Sequence, residues 1–238
     1  MTRAFSSVAA TPAEQQAPRP GDDIIARPDV VMDRAFTVAA PPAAVWPWIA
    51  QLGRKRADWY LPRMVERFLP RRSRAVRDIH PAWQHLAVGD IIPDYGGQDA
   101  TFEVAAIEPP YALVYRSVRG RVSMTWSITL IPLPVPGSPA GEYTRVHLRL
   151  RLAPVRRPWL ADTAGGFVDF LTIAGMAAGL KERVERLHRH GEPLMSPSGL
   201  GAVNSMRKTR PPGSATGWLL AGRNWISSPL RRVCMACT

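Results

Sequence analysis

Two segments in the second half of the chain alternate between apolar and polar residues. In 122–130 every second residue is apolar and the residues between are serines and threonines. In 144–152 mostly apolar residues alternate with three arginines and one histidine. A period of two predicts antiparallel strands with one buried and one solvated face. Weaker strand patterns cover 34–40, 90–93, 101–107 and 112–118.

Helical periodicity predicts one long helix and two short ones. Between 163 and 188 apolar residues recur at intervals of three and four, which predicts a C-terminal helix of about 39 Å. Its first half is apolar nearly all round, so we expect it to close over an apolar space. Segments 43–52 and 59–68 predict two short helices after the first strand. One long helix on one antiparallel sheet is a two-layer α+β architecture.

The two ends of the chain differ from its middle. Residues 1–28 are rich in Ala, Pro, Ser and Gln without periodicity, which predicts a disordered leader. Residues 191–238 predict a disordered, basic, Pro- and Gly-rich tail, whose apolar islands at 218–220 and 225–226 could touch a membrane surface peripherally. The folded domain is therefore expected within 29–190, which suits a chain of 238 residues.

Several short motifs follow one another in a characteristic order within the predicted domain. They are Ala40-Pro41-Pro42, Val45-Trp46-Pro47-Trp48, Trp59-Tyr60, His80-Pro81, Leu86-Ala87-Val88-Gly89-Asp90, Phe102-Glu103-Val104, Glu108-Pro109, Leu113-Val114, Trp126 and Gly179-Leu180-Lys181-Glu182-Arg183. In this order they resemble the SRPBCC superfamily of START, polyketide-cyclase and birch-allergen-like proteins. The resemblance implies a helix-grip fold, in which a curved antiparallel sheet wraps around a long C-terminal helix. It also implies a hydrophobic small-molecule partner, lipid-like or polyketide-like, in an internal cavity between sheet and helix.

Residues that would line such a cavity are apolar or aromatic and lie on the predicted inner strand faces and on the helix. Tyrosine hydroxyls among them could orient a ligand, although the same side chains could simply fill each other's space. The predicted ligand-binding residues are Tyr60, Tyr95, Phe102, Tyr115, Met124, Trp126, Leu148, Phe167, Phe170, Ile173, Ala174 and Ala177.

Candidate chemistry in the sequence is limited to proton transfer. Asp58, Tyr60 and His80 are the candidate catalytic residues, and a buried Asp58 or Asp94 would have a raised pKa. His80 and His85 are five residues apart, a spacing that does not place two ligands on one helix face. No third ligand accompanies them, so neither a metal nor another cofactor is predicted. The resemblance carries over no catalytic residue.

Basic residues exceed acidic ones, 31 to 19, giving a formal net charge of +12. Arg145, His147, Arg149 and Arg151 predict a basic row on the outer sheet face, and further arginines cluster at 71–77. Aromatic side chains do not interleave with these arginines, so a solvated face is favoured over a nucleic-acid interface. The only cysteines, Cys234 and Cys237, supply no disulfide framework.

The sequence leads to one main hypothesis and two alternatives. The main one is a small-molecule-binding protein without assigned catalysis. The first alternative is an enzyme of the cyclase or aromatase kind that uses Asp58, Tyr60 or His80. The second is a basic adaptor for an anionic polymer or a membrane surface. No segment approaches the ~20 apolar residues that span a bilayer, and no secretory signal is evident, so a cytoplasmic location is expected.

Overall fold

One antiparallel sheet forms the centre of the protein. The computed structural model describes residues 8–95, 99–133, 143–156 and 166–189. Its six-stranded sheet has the strand order β1-β6-β5-β4-β3-β2, and every neighbouring pair is antiparallel, as the alternation predicts. The strands are β1 Val30–Val38, β2 Ile91–Pro93, β3 Thr101–Glu108, β4 Ala112–Arg119, β5 Val122–Leu133 and β6 Tyr143–Ala153.

Within the described residues, four α-helices accompany the sheet: α1 Pro12–Gln16, α2 Pro42–Gln51, α3 Arg63–Glu66 and α4 Gly166–Arg189. Helix α2 starts at a proline, whose fixed φ suits the first turn of a helix. The predicted helix over 59–68 is wrong in length, because α3 has only four residues. Pro62 disfavours helical backbone at the residue before it, so the chain stays extended until α3 begins.

Helix α4 packs against the inner face of the sheet and against the segment after α2. Its residues Ile173, Met176, Leu180 and Val184 are at most 3 % exposed. Gly179 allows residues 60 and 61 to lie close to α4, since a Cβ at position 179 would lie 2.6 Å from their backbone atoms. Sheet and helix therefore form an α+β architecture consistent with a helix-grip fold.

The N-terminal segment covers part of the outer face of the sheet. We call residues 8–26 the strap. The amide of Ala35 donates to the carbonyl of Val8 at 2.9 Å, and Val8 is fully buried. Gly21 sits so close to β4 that a Cβ there would lie 2.5 Å from Cγ1 of Val114. The prediction of a disordered leader is therefore wrong for residues 8–28, which the structure describes as packed chain.

Arginines of β6 hold the strap in place. The Arg149 guanidinium donates to Asp33 and Asp22, both at 2.8 Å, and to the carbonyls of Ala17 and Gln15. Arg145 pairs with Glu14, and Arg151 pairs with Asp22. The prediction that these arginines face solvent is wrong. Carboxylates and carbonyls of the strap, rather than water, accept their hydrogen bonds.

The remaining predictions about the chain ends fall largely outside the described residues. The tail 191–238 lies beyond them, as do residues 1–7 of the leader. Among the helices that the structure describes, none is long and apolar enough to cross a membrane.

Candidate functional site

The middle of the sheet–helix interface is closed. Leu148 on β6 and Ala174 and Ala177 on α4 are at most 2 % exposed. The prediction of open space between the layers is therefore wrong for this stretch of the described helix. Two surface grooves lie elsewhere. One of about 460 Å³ lies beside Arg34 and Arg149, and one of about 330 Å³ lies near Ile24 and Val118.

Four aromatic rings gather at one part of the interface. We call Trp59, Phe102, Tyr115 and Trp126 the aromatic cluster. Trp126 stacks on Trp59 and on Tyr115, with ring centroids 6.0 Å and 5.9 Å apart. Phe102 contacts Tyr115 at 5.6 Å and Trp126 at 6.0 Å. Trp59, Phe102 and Trp126 are only partly buried, so the cluster reaches the protein surface.

Neighbouring strands and one loop position this cluster. Tyr115 on β4 is the direct cross-strand partner of Trp126 on β5, which places both rings on the inner face. Trp59 comes from the segment after α2, and its indole N–H donates to the carbonyl of Thr172 on α4 at 3.2 Å. The cluster thus lies beside the first half of α4, where Phe170 and Leu171 are 37 % and 47 % exposed.

The hydroxyl of Tyr115 is one of the polar groups of the cluster, along with the indole N–H groups of Trp59 and Trp126. Tyr115 is 2 % exposed, and its hydroxyl has no hydrogen-bond partner among the described residues. Burial raises the pKa of this phenol, although the charge of Arg56 acts in the opposite direction. An unpaired buried hydroxyl costs about 1–3 kcal/mol. Tyr115 is therefore a neutral group that can still form a hydrogen bond.

A carboxylate–phenol pair flanks the cluster. The Tyr95 hydroxyl donates to Oδ1 of Asp58 at 2.8 Å, and the Tyr95 ring meets Trp59 edge-on at 6.4 Å. Burial, followed by the hydrogen bond and charge of Asp58, raises the pKa of Tyr95, so the phenol stays protonated. Asp58 has a φ of +60°, in the left-handed region that is costly for residues other than glycine.

A second charged pair borders Phe102. Asp94 forms an ion pair with Arg119, whose guanidinium lies 5.3 Å from the centroid of the Phe102 ring. Arg54 also donates to the backbone carbonyl of Asp94 at 3.1 Å. Asp94 is therefore a partly buried carboxylate that is paired with Arg119.

The other candidate catalytic residues lie apart from the cluster. Tyr60 is fully buried and its hydroxyl donates to the carbonyl of Trp48 at 2.8 Å, while burial raises its pKa. His80 is exposed, and its ring lies 4.5 Å from that of Trp83. The structure therefore does not bring Asp58, Tyr60 and His80 together as one acid–base site.

The predicted ligand-binding residues divide into four groups. Phe102, Tyr115 and Trp126 lie in the aromatic cluster, and Tyr95 lies beside it. Met124 is partly buried and lines the groove near Ile24 and Val118. The side chain of Phe167 lies outside the described residues. The remaining ones fill the closed core or, for Phe170, lie exposed on α4: Tyr60, Leu148, Phe170, Ile173, Ala174 and Ala177.

Trp59 is the cluster residue that the predicted ligand-binding set omits. Its neighbour Tyr60 was included instead, and the Trp-Tyr motif itself was the available signal. Within the residues that the structure describes, no group of three or more His, Cys, Asp or Glu side chains is placed to hold a metal ion.

Comparisons with known proteins yield structural likeness only. No protein-family model and no curated protein matches the chain. Among solved structures, protein MLL2253 from Mesorhizobium loti is 20% identical, with 69% of this chain and 100% of that chain covered and a TM-score of 0.36. The Aha1 dimer from Colwellia psychrerythraea is 13% identical, with 64% and 98% covered and a TM-score of 0.37. CalU16 from Micromonospora echinospora is 18% identical, with 67% and 86% covered and a TM-score of 0.34. At these values we draw no functional conclusion.

Proposed function

We propose that the protein binds an apolar, ring-containing small molecule at the aromatic cluster. The observation that carries the proposal is that partly exposed rings contact the ring of Tyr115, whose buried hydroxyl has no hydrogen-bond partner among the described residues. Small-molecule sites commonly have this composition, with aromatic walls and a few polar groups that fix the ligand's orientation. The closed middle of the interface confines the proposed site to the part beside the first half of α4.

Aromatic side chains favour a planar ligand in particular. A pair of aromatic rings contributes about 0.5–1.5 kcal/mol in addition to the free energy gained from burying its apolar area. Trp59 and Trp126 both offer partly accessible rings, and the exposed Phe170 and Leu171 extend the apolar surface along α4. A hydroxyl or carbonyl on the ligand would satisfy Tyr115 and offset the cost of its burial.

Binding of 2-naphthol, a planar ring compound with one hydroxyl, tests the proposal. We expect isothermal titration calorimetry of the full chain to show saturable binding, and Tyr115→Phe to weaken it about 2- to 12-fold, the equivalent of one neutral hydrogen bond. Tyr111→Phe is the matched control, because Tyr111 is 51 % exposed in the turn between β3 and β4. Absence of binding, or equal binding by both variants, would contradict the proposed role of Tyr115.

Native mass spectrometry of the purified full chain provides a second test without a chosen ligand. The proposal predicts a co-purified hydrophobic adduct that is reduced in Trp126→Ala relative to wild type. Trp83→Ala is the control, because Trp83 lies beside His80 and outside the aromatic cluster. Repeatedly adduct-free spectra of wild-type protein would count against the proposal.

The hydrogen bond between Tyr95 and Asp58 supports a second candidate function, proton transfer to or from a bound ligand. The pair joins a carboxylate base to a protonated phenol next to the ring of Trp59. An enzyme of this kind would change the mass or absorbance of the co-purified compound, and Asp58→Asn would stop that change while binding persists. An unaltered compound after prolonged incubation with wild-type protein would exclude this second function for that compound.

A further inference from the structure

The segment around α3 exposes large apolar side chains. We call residues 61–74 the platform. Met64 and Phe68 are 63 % and 75 % exposed, and Val65 between them is 43 % exposed. Single exposed apolar residues are common, but three within five positions form a patch of the kind that marks an interaction surface.

The same segment is strongly basic at its surface. Its arginines are Arg63, Arg67, Arg71, Arg72 and Arg74, and its only acid is Glu66. Glu66 is 3 % exposed and pairs with Arg183 and Arg77, both at 2.5 Å, so its charge is neutralised inside the protein. All five platform arginines are exposed. None of the five forms an ion pair with another described residue: Arg74 donates to backbone carbonyls, and the Arg67 guanidinium lies 4.6 Å from the centroid of the Phe68 ring.

Internal hydrogen bonds fix the shape of the platform. Arg74 donates to the carbonyls of Leu69 at 2.9 Å and Arg67 at 3.1 Å, which closes the turn after α3. Glu66 joins the platform to α4 through Arg183, and the amide of Arg63 donates to Glu182 at 2.8 Å. A surface held in this way loses little conformational entropy when it binds a partner.

We propose that the platform docks the protein on a lipid bilayer that carries anionic headgroups. Met64, Val65 and Phe68 would enter the boundary between headgroups and acyl chains, and the unpaired arginines would contact lipid phosphates. This charge complementarity would also suit a nucleic acid. A bilayer is favoured because two of the three exposed apolar side chains are aliphatic and cannot stack on bases. The proposal does not depend on the proposed small-molecule site.

Flotation of the full chain with vesicles tests this docking. We expect binding to vesicles of 70 % phosphatidylcholine and 30 % phosphatidylglycerol that weakens with added salt, and much weaker binding to pure phosphatidylcholine. Each neutralised arginine should weaken binding roughly fivefold, so Arg71→Gln with Arg72→Gln should lower affinity about 25-fold. Phe68→Ser should lower it about tenfold through lost apolar contact.

Two control variants test whether an exposed arginine or an exposed apolar side chain outside the platform also contributes to vesicle binding. Arg121→Gln removes an exposed arginine in the turn between β4 and β5, and Val118→Ser removes an apolar side chain that is 73 % exposed. Both should bind vesicles like wild type. The proposal is overturned if anionic vesicles are not bound, or if the platform variants bind them like the controls. It is also overturned if the chain binds RNA in preference to vesicles and Phe68→Ser leaves vesicle binding unchanged.

Discussion

Removal of the Arg149 side chain should release the strap and destabilise the whole protein. Arg149 is 3 % exposed and donates to two carboxylates and to carbonyls of the strap. In Arg149→Met the buried carboxylate of Asp33 keeps one close partner among the described residues, Nε2 of His147 at 3.0 Å. Loss of one member of a buried ion pair costs about 3–5 kcal/mol, because the remaining charge is left uncompensated. A typical domain has only about 5–15 kcal/mol of stability in total.

Urea unfolding followed by circular dichroism measures this loss. The matched control is Arg116→Met, which also removes an outer-face arginine with a carboxylate partner, Glu103. The Arg116 side chain is 54 % exposed, so we expect a loss of at most about 1 kcal/mol. Asp33→Asn in the Arg149→Met background should recover part of the stability, because the uncompensated charge is then gone. Equal losses in Arg149→Met and Arg116→Met would refute the strap's role.

Two further predictions concern the strap and the helix. The pKa of Glu14 is lowered from 4.5 to about 2 by its hydrogen bond to Arg145, so this carboxylate stabilises the fold above pH 4.5 and loses that effect as the pH falls towards 2. Allowing for solvent screening, Glu14→Gln should lower the unfolding free energy at pH 7 by about 1–2 kcal/mol and flatten its pH dependence below 4.5, and an unchanged urea profile would contradict this. Gly179→Ala should cost about 1–3 kcal/mol by forcing α4 away from residues 60 and 61, whereas Gly166→Ala meets nothing closer than 3.9 Å and should change the thermal unfolding midpoint little. Equal thermal unfolding midpoints for Gly179→Ala and Gly166→Ala would show that the packing of the helix does not depend on this close contact.

The sheet could be predicted because alternation reports directly which residues share a face. The predicted strand 122–130 lies within β5, Val122–Leu133, and the predicted strand 144–152 lies within β6, Tyr143–Ala153. Placement of Tyr115 and Trp126 on one inner face follows from the same alternation. The predicted strand ends differ from the observed ends by at most four residues, with the largest difference at the start of β1, because a period of two fixes faces and not termini.

The strap could not be predicted, because the residues that it contacts lie far from it in sequence. Glu14 is more than a hundred residues from Arg145, and the alternation around Arg145 indicates the face on which it lies but not its partner. The place of Trp59 in the aromatic cluster could not be predicted either, because the chain around it was expected to be helical. The predicted helix over 59–68 does not form there, and in the extended chain Tyr60 points into the core while Trp59 reaches the aromatic cluster.

Indole N–H resonances offer the most direct test of the proposed ligand site. The chain has eight tryptophans, so a ¹⁵N-labelled sample gives a small set of side-chain signals that single Trp→Phe variants can assign. Titration with 2-naphthol should shift the signals of Trp59 and Trp126 and leave those of Trp48 and Trp83 in place. Unmoved Trp59 and Trp126 signals, or shifts confined to Trp48 and Trp83, would contradict a ligand site at the aromatic cluster.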